Sequence, residues 1–485
     1  MVGPGTSRNG CVGSSLEVAV LQAAGSPGAP RSGTAGPAQG SGQKGVAVSR
    51  SDTVWRTWGR TEVATPERVE EPSHASDIQA LVREAADRGI TLKPLGAGHS
   101  FTSIAVTAGV QLRTDRFHGL LSADVDQGLV TLGAGTRLAD VPALIGYYGL
   151  AMPNLGDIDR QTLGGAVSTG THGTGSRFGG LATQVAAVQL ITGTGELITV
   201  SEEQNADLLD AVRIGLGALG VLVSVTLRCV PAFALAASER PEPLEAVLAD
   251  FEQRCDHADH FEFYWFPHTA TALTKTNTRL PADTALAPRG RLSRFVDDTL
   301  VSNELYRGLC AVEARVPRLT PAVNRLAVRA TGNRSFTDRS HRVFTTRRTV
   351  RFREMEYALP RAAVPAALRA IDRMIKDRNL RVSFPVEVRS AAADQLWLST
   401  AHDRLTGYIA VHRYHRDRDT ERFFDAVEEI LLDHDGRPHW GKLHTLTAGQ
   451  LREKYPRFDD FLAARDRLDP NRVFANPHLD RILGS

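Results

Sequence analysis

Cysteine is scarce in this chain, and its few copies stand apart. Only four occur among 485 residues: Cys11, Cys229, Cys255 and Cys310. None forms a C-x-x-C pair, which argues against a zinc ribbon, a thioredoxin-like motif or a disulfide framework. A reducing compartment, the cytoplasm, is therefore expected. No apolar run reaches the ~20 residues needed to span a bilayer, so any membrane association is expected to be peripheral. Leu16 to Ala24 is briefly apolar, but it contains Glu17 and Gln22 and follows no basic run, unlike a signal peptide. A charge excess of either sign is also missing. The chain has 57 Lys and Arg against 55 Asp and Glu, a net charge of +2 that makes no case for a nucleic-acid partner.

Apolar mass and glycine are plentiful. Hydrophobic residues make up 42% and charged residues 23%, enough for a sizeable core. The length suggests roughly two large domains or three ordinary ones. Residues 1–50 are rich in Gly, Ala, Ser and Pro with no sustained period, and are expected to be disordered. A β-α-β unit follows. Ser73 to Asp77 supplies capping residues, Ile78, Leu81, Val82 and Ala85 recur at helical spacing, and Gly89 ends the helix.

Next comes Lys93-Pro94-Leu95-Gly96-Ala97-Gly98-His99-Ser100-Phe101, after the apolar run Ile90 to Leu92. Two glycines around one small residue allow a sharp turn and close approach of a large group. Freed backbone N–H groups there favour an anion such as a phosphate. This is not a Rossmann fingerprint, because Phe101 stands where a third glycine is needed. A second small-residue run extends from Met152 to Gly175 and includes Asp157, Gly164, Gly165, Ser168, Gly170, Thr171, His172 and Gly173. Its side chains are too small to fill a domain interior alone, so a flat cofactor lying against the backbone is expected there. Gly215 to Gly220 spells a formal G-x-G-x-x-G, but a helical pattern precedes it and the strand pattern of Val221 to Leu227 follows. That is the reverse of the Rossmann order.

The first loop resembles the first flavin-binding loop of the vanillyl-alcohol-oxidase-type (PCMH-type) FAD enzymes, and in particular the sugar-lactone branch. The second run is similar to the second FAD loop of the same family, including its Gly-Thr-His-Gly core. The resemblance implies FAD, with the pyrophosphate cradled by Gly96, Ala97, Gly98, Ser100 and Phe101. It also implies a covalent bond from His99 to the flavin 8α-methyl, and a turn at Gly220 and Val221 closing around the adenine end. The expected fold is α+β. It comprises a two-part FAD-binding domain over 51–232, an antiparallel-sheet substrate (cap) domain over 233–438, and a C-terminal segment over 439–485 that returns to the flavin.

Elements of the first domain are expected as short strands at Gly109 to Arg113, Gly128 to Leu132, Val185 to Ile191 and Leu197 to Val200, with helices at Leu138 to Tyr148 and Ala206 to Arg213. In the cap domain, strands are expected at His260 to Phe266, Thr349 to Leu359, Arg381 to Val388 and Gly407 to Tyr414. Helices are expected at Pro365 to Arg378 and Ala426 to Leu432, and a polar insertion at Leu280 to Asn303.

Four residues are candidates for chemistry. Glu387 and Arg389 lie two positions apart, so on a strand they share a face. Together they could bind sugar hydroxyls, or Arg389 could offset charge on the reduced flavin. Lys442 in His439-Trp440-Gly441-Lys442 is a cation for the flavin edge. His412 could accept a substrate proton or merely hydrogen-bond the substrate. His439 and His444 have no acidic or cysteine cluster in the adjoining sequence, so no metal is expected. The resemblance implies oxidation of a CH–OH group of an aldono-1,4-lactone by hydride transfer to flavin N5, with ascorbate or an analogue as product. Alditol oxidation and a tailoring oxidase are the alternatives. The electron acceptor, whether oxygen, a cytochrome, a quinone or a dye, is left open.

Overall fold

Helix Ala75–Arg88 starts where the His74 amide donates to Asp77 Oδ2 at 3.0 Å and stops at Gly89, whose φ of 62° suits glycine. In this computed structural model, residues 54–290, 306–346 and 348–485 are described. The proposed extension over 1–50 and the part of the polar insertion beyond Gly290 lie outside them. Ile78, Val82 and Ala85 of the helix pack with Leu92, Val110 and Leu112 of a three-stranded parallel sheet. Its order is Arg68–Glu70, Val110–Arg113, Leu92–Leu95. The Gly96 loop leaves the end of the last of these strands.

A second, antiparallel sheet follows, in the order Leu197–Val200, Val185–Ile191, Val221–Arg228, Leu129–Gly133, Leu120–Asp124. The last strand is absent from the sequence reading. It is an edge with Leu121, Ser122 and Asp124 exposed, so no apolar alternation marks it. The helix expected over Leu138 to Tyr148 is shorter, Val141–Gly146, because Pro142 has no N–H and must sit in the first turn. The helix expected over Ala206 to Arg213 divides into a 3₁₀ turn, Ala206–Leu208, and the short helix Leu209–Val212.

From Phe233 the chain builds one eight-stranded sheet. Its order is Arg334–Arg339, Phe233–Pro243, Thr271–Pro281, His260–Trp265, Val386–Ala391, Thr406–Tyr414, Phe352–Pro360, Arg437–Pro438. Phe233–Pro243 and Thr271–Pro281 pair over their full length, so Leu280 and Pro281 belong to a strand and not to an insertion. Val386–Ala391 begins later than the expected Arg381, because Pro385 cannot donate to the ladder.

Register sorts this sheet into two faces. Phe263 pairs with Val388, Val388 with Ile409, and Ile409 with Tyr357. That face joins helices Val364–Asp377 and Thr420–Asp433 in one apolar cluster. Each large side chain buried there is worth about 1.5–3 kcal/mol. The other face carries Tyr264 opposite Glu387, Glu387 opposite Ala410, and His412 opposite Glu354. Phe352 and Tyr357, two apolar residues of the same strand, point to opposite faces because their separation is odd.

The C-terminal segment closes onto the first half. Leu92 N–H donates to Val473 O at 2.8 Å, and Lys93 Nζ donates to Phe474 O at 2.9 Å. The Asn476 amide donates to Ser103, Ile104 and Val106 carbonyls. Among the described residues no helix is long and apolar enough to cross a membrane.

Candidate active site

Three loops of small residues enclose the first cleft. It is lined by Gly96 to Ser100, by Thr162, Gly164, Gly165 and Ser168, and by Leu216, Gly217 and Gly220, and it holds about 870 Å³ of empty space. Among the described residues, none of the amides from Ala97 to Ser100 donates to a protein acceptor. Gly98 has φ 68°, and a Cβ on Gly96 would fall 2.3 Å from Thr162 Oγ1. The G-x-G-x-x-G segment turns through positive φ at Leu216 (54°) and Gly217 (61°). Leu216 N–H bonds Ser168 O at 3.0 Å, joining the third loop to the second. Lys93 is buried beneath, and its Nζ also bonds Gly217 O at 3.0 Å. Burial pushes this amine down to about 7.

A second, smaller cleft continues from the first. His99, Ser100, Phe101, Asp157, Thr171, His172, Glu356, His439 and Lys442 line it. His99 lines both clefts and stacks on Trp58 with centroids 5.7 Å apart. Burial, then Arg137, pushes its imidazole down to about 4, so the ring is neutral near pH 7. Lys442 pairs with Glu354 Oε2, lies 3.9 Å from Glu356 Oε2, and sits 5.3 Å over the Phe101 ring. Burial opposes its charge, but Glu354 and Glu356 outweigh burial and raise it. His172 Nε2 meets Glu356 Oε1 at 3.0 Å, and its Nδ1 meets Gly173 O at 2.9 Å.

The polar face of the large sheet adds a charge cluster beside this cleft. Arg389 bonds Glu262 at 3.0 Å, pairs with Glu387, and reaches Asp157 at 3.4 Å. Arg348 bonds Asp157 at 2.7 Å, and Lys275 lies 3.3 Å from Glu262. Tyr264 donates to Glu387 at 2.9 Å. Three carboxylates thus face three cations, all buried or nearly so. Burial raises each carboxylate, but at Asp157 and Glu262 the cations win and hold it low. Glu387 stays raised, first by burial and then by the negative charges of Asp157 and Glu262, against the pull of Arg389 and Arg348.

The structure brings Gly96, Ala97, Gly98, His99, Ser100, Gly164, Gly165, Ser168 and Gly220 onto the first cleft. Phe101, Asp157, Thr171, His172 and Lys442 line the second. Glu387 and Arg389 line neither cleft: Arg389 touches Asp157, which lines the second, and Glu387 is held behind it by Arg389. Three expected cofactor residues line neither cleft. Gly170 packs against Ile214 and Trp440, a Cβ on Gly173 would meet Leu155 O at 2.3 Å, and Val221 is in the apolar core. His412 also lies outside both clefts, between Pro385 O at 3.2 Å and Glu354 at 3.5 Å. Glu262, Tyr264, Arg348, Glu354 and Glu356 escaped the sequence reading. Alternation over Glu354-Met355-Glu356-Tyr357 was the available signal for two of them. A carboxylate does join His439: Glu356 and His172 lie within 4.8 Å ligand-atom distances of it. Several of their polar atoms are already bonded within the protein: His439 Nδ1 accepts from Gly441 N–H at 3.1 Å, and His172 is bonded through both nitrogens, one of them to Glu356 Oε1.

The clefts fit FAD. Undonated amides and a glycine-rich floor suit a pyrophosphate, and the adjoining charge-lined cleft suits a flat ring with polar edges. The family model for D-arabinono-1,4-lactone oxidase matches residues 225–482, and that for an FAD binding domain matches 66–201. L-gulono-1,4-lactone dehydrogenase of Mycobacterium tuberculosis is 40% identical over 431 residues, covering 89% of this chain and 99% of the relative. L-gulonolactone oxidase of Scyliorhinus torazame is 32% identical, covering 88% and 97%. Cholesterol oxidase from Brevibacterium sterolicum superposes with a TM-score of 0.75 over 89% of this chain and 96% of its own, at 18% identity, which shows the shared fold.

Proposed function

The chain belongs to the D-arabinono-1,4-lactone oxidase family of FAD-binding oxidoreductases, and from that membership we propose that it oxidises a CH–OH group of an aldono-1,4-lactone. L-gulono- and D-arabinono-1,4-lactone are the substrates, and ascorbate or an analogue is the product. The observation that carries this reading is the Glu387–Arg389 pair, set on the sheet face that adjoins the flavin cleft. FAD, when bound, supplies the hydride acceptor at N5.

The chain's own residues divide the remaining work. Arg389 and Glu387 hold the lactone hydroxyls and aim the carbinol carbon. Glu387, with its raised proton affinity, takes the hydroxyl proton. Tyr264 and Arg389 fix its carboxylate. Lys442 brings positive charge to the ring cleft, and Glu354 keeps it there. His412 positions Glu354 from behind. His99, neutral and shared by both clefts, is the attachment point for the flavin. The division at 51–232, 233–438 and 439–485 is supported by the change from the nucleotide-binding loops to the single large sheet and then to the returning segment. A reducing compartment is supported by Cys229, Cys255 and Cys310, all buried and free.

The deciding experiment is anaerobic. Purified flavoprotein is mixed with L-gulono-1,4-lactone, D-arabinono-1,4-lactone or xylitol, and its visible absorbance is followed. Bleaching by a lactone is expected. Bleaching by xylitol alone would replace this reading with alditol oxidation.

A further inference from the structure

A third and larger cleft opens beside the other two. It holds about 2410 Å³ of empty space, and Trp58 and His99 line it as they line the ring cleft. Its wall is unusual in charge. Among the described residues, seven arginines face two aspartates, Asp140 and Asp159, and one of the seven, Arg307, is bonded to Thr349 at 3.0 Å. Some of these arginines are committed. Arg137 bonds Asp115 at 2.6 Å, Arg160 lies 3.5 Å from Asp159, and Arg348 holds Asp157. Among the described residues, Arg60, Arg351 and Arg416 have no carboxylate partner. The formal net charge of the whole chain is only +2, so this concentration is local.

A neutral lactone gains little from such a wall. An anion gains much, because a concave surface with an excess of one charge focuses its field and raises the local concentration of the opposite charge. Guanidinium groups also suit a delocalised oxyanion or a cyano-anion better than a compact cation. We propose that this arginine cleft receives a small anionic one-electron acceptor, which collects electrons at the His99 edge of the flavin site. The inference rests on the flavoenzyme reading above. The step balances: reduced flavin gives one electron to each of two acceptor molecules, returns to its oxidised form, and releases its proton to water.

Ferricyanide and hexaammineruthenium(III) are matched one-electron probes of opposite charge. With lactone saturating, kcat/KM for ferricyanide is expected to fall about tenfold or more between low and physiological ionic strength, while the cationic probe stays flat or improves. Charge reversal in the triple variant R60E/R351E/R416E is expected to invert the preference. Calorimetry supplies a readout without turnover. The holoenzyme should bind ferrocyanide at low salt, and the triple variant should not. Parallel salt responses for the two probes would overturn the proposal, as would unchanged ferrocyanide binding in the variant. A variant slowed in anaerobic flavin bleaching by lactone, with its acceptor preference intact, would also overturn it by assigning the arginines to the substrate. Ferrocyanide binding is decided whether or not any lactone reduces the flavin, so failure of the substrate reading and failure of this one are separable.

Discussion

His99 stands at the meeting point of all three clefts, with its ring kept neutral by burial and by Arg137. A neutral imidazole keeps a lone pair for bonding to carbon. The His99→Ala protein is therefore expected to release its yellow colour to the supernatant on acid precipitation, whereas the parent keeps it in the pellet. Colour in the parent's supernatant would remove His99 as the anchor. Glu387 tests the chemistry. Gln keeps its shape and can still accept from Tyr264, but it cannot take a proton. Glu387→Gln is expected to lower kcat by about 10²–10⁴ and to abolish the acidic limb of the pH profile. Equal turnover in the two proteins would assign the proton to another group.

The turn after helix Phe458–Leu468 works as a clamp. Asp469 is fully buried and accepts the amides of Val473 at 2.8 Å and Phe474 at 2.9 Å. It thereby shapes the stretch that holds Leu92 and Lys93. Asp469→Ala leaves two buried donors unpaired, at a cost of about 1–3 kcal/mol. A lower Tm and weaker FAD retention are both expected, measured by thermal melt and by flavin content after gel filtration. At this scale the sequence was legible where one element carried the whole signal. Glu387 and Arg389 could be paired because i and i+2 share a strand face. The Gly96 and Gly164 loops announced themselves by composition. Contacts between strands were not legible. Arg389 meets Glu262 across 127 residues, and His172 meets Glu356 across 184. Such pairs depend on register, which the turns and the core face set together. Edge strand Leu120–Asp124 has no apolar alternation to read, and Pro385, with no N–H to give, sets the start of the Val386 strand.

Histidines buried or half-buried in the fold set its acid limit. His99, His260, His268 and His439 are each pushed by burial from 6.5 down to about 4. Between these values the unfolded chain binds more protons than the folded one, so stability rises with pH across that window and is lost as pH falls through it. Tm is expected to drop steeply between pH 6.5 and 4, and a flat Tm there would contradict the neutral assignments. The returning C-terminal segment has a consequence in time as well as in space. Asn476 holds the backbone just after the first flavin loop across as many as 373 residues, and Lys93 waits for Phe474. A ribosome needs on the order of 20–75 s to travel that far. The nascent protein therefore leaves the exit tunnel with its flavin loop unpinned. Loading is therefore expected to be post-translational, and a message truncated just before Phe474 is expected to yield a nearly full-length chain that lacks both pins and retains no FAD.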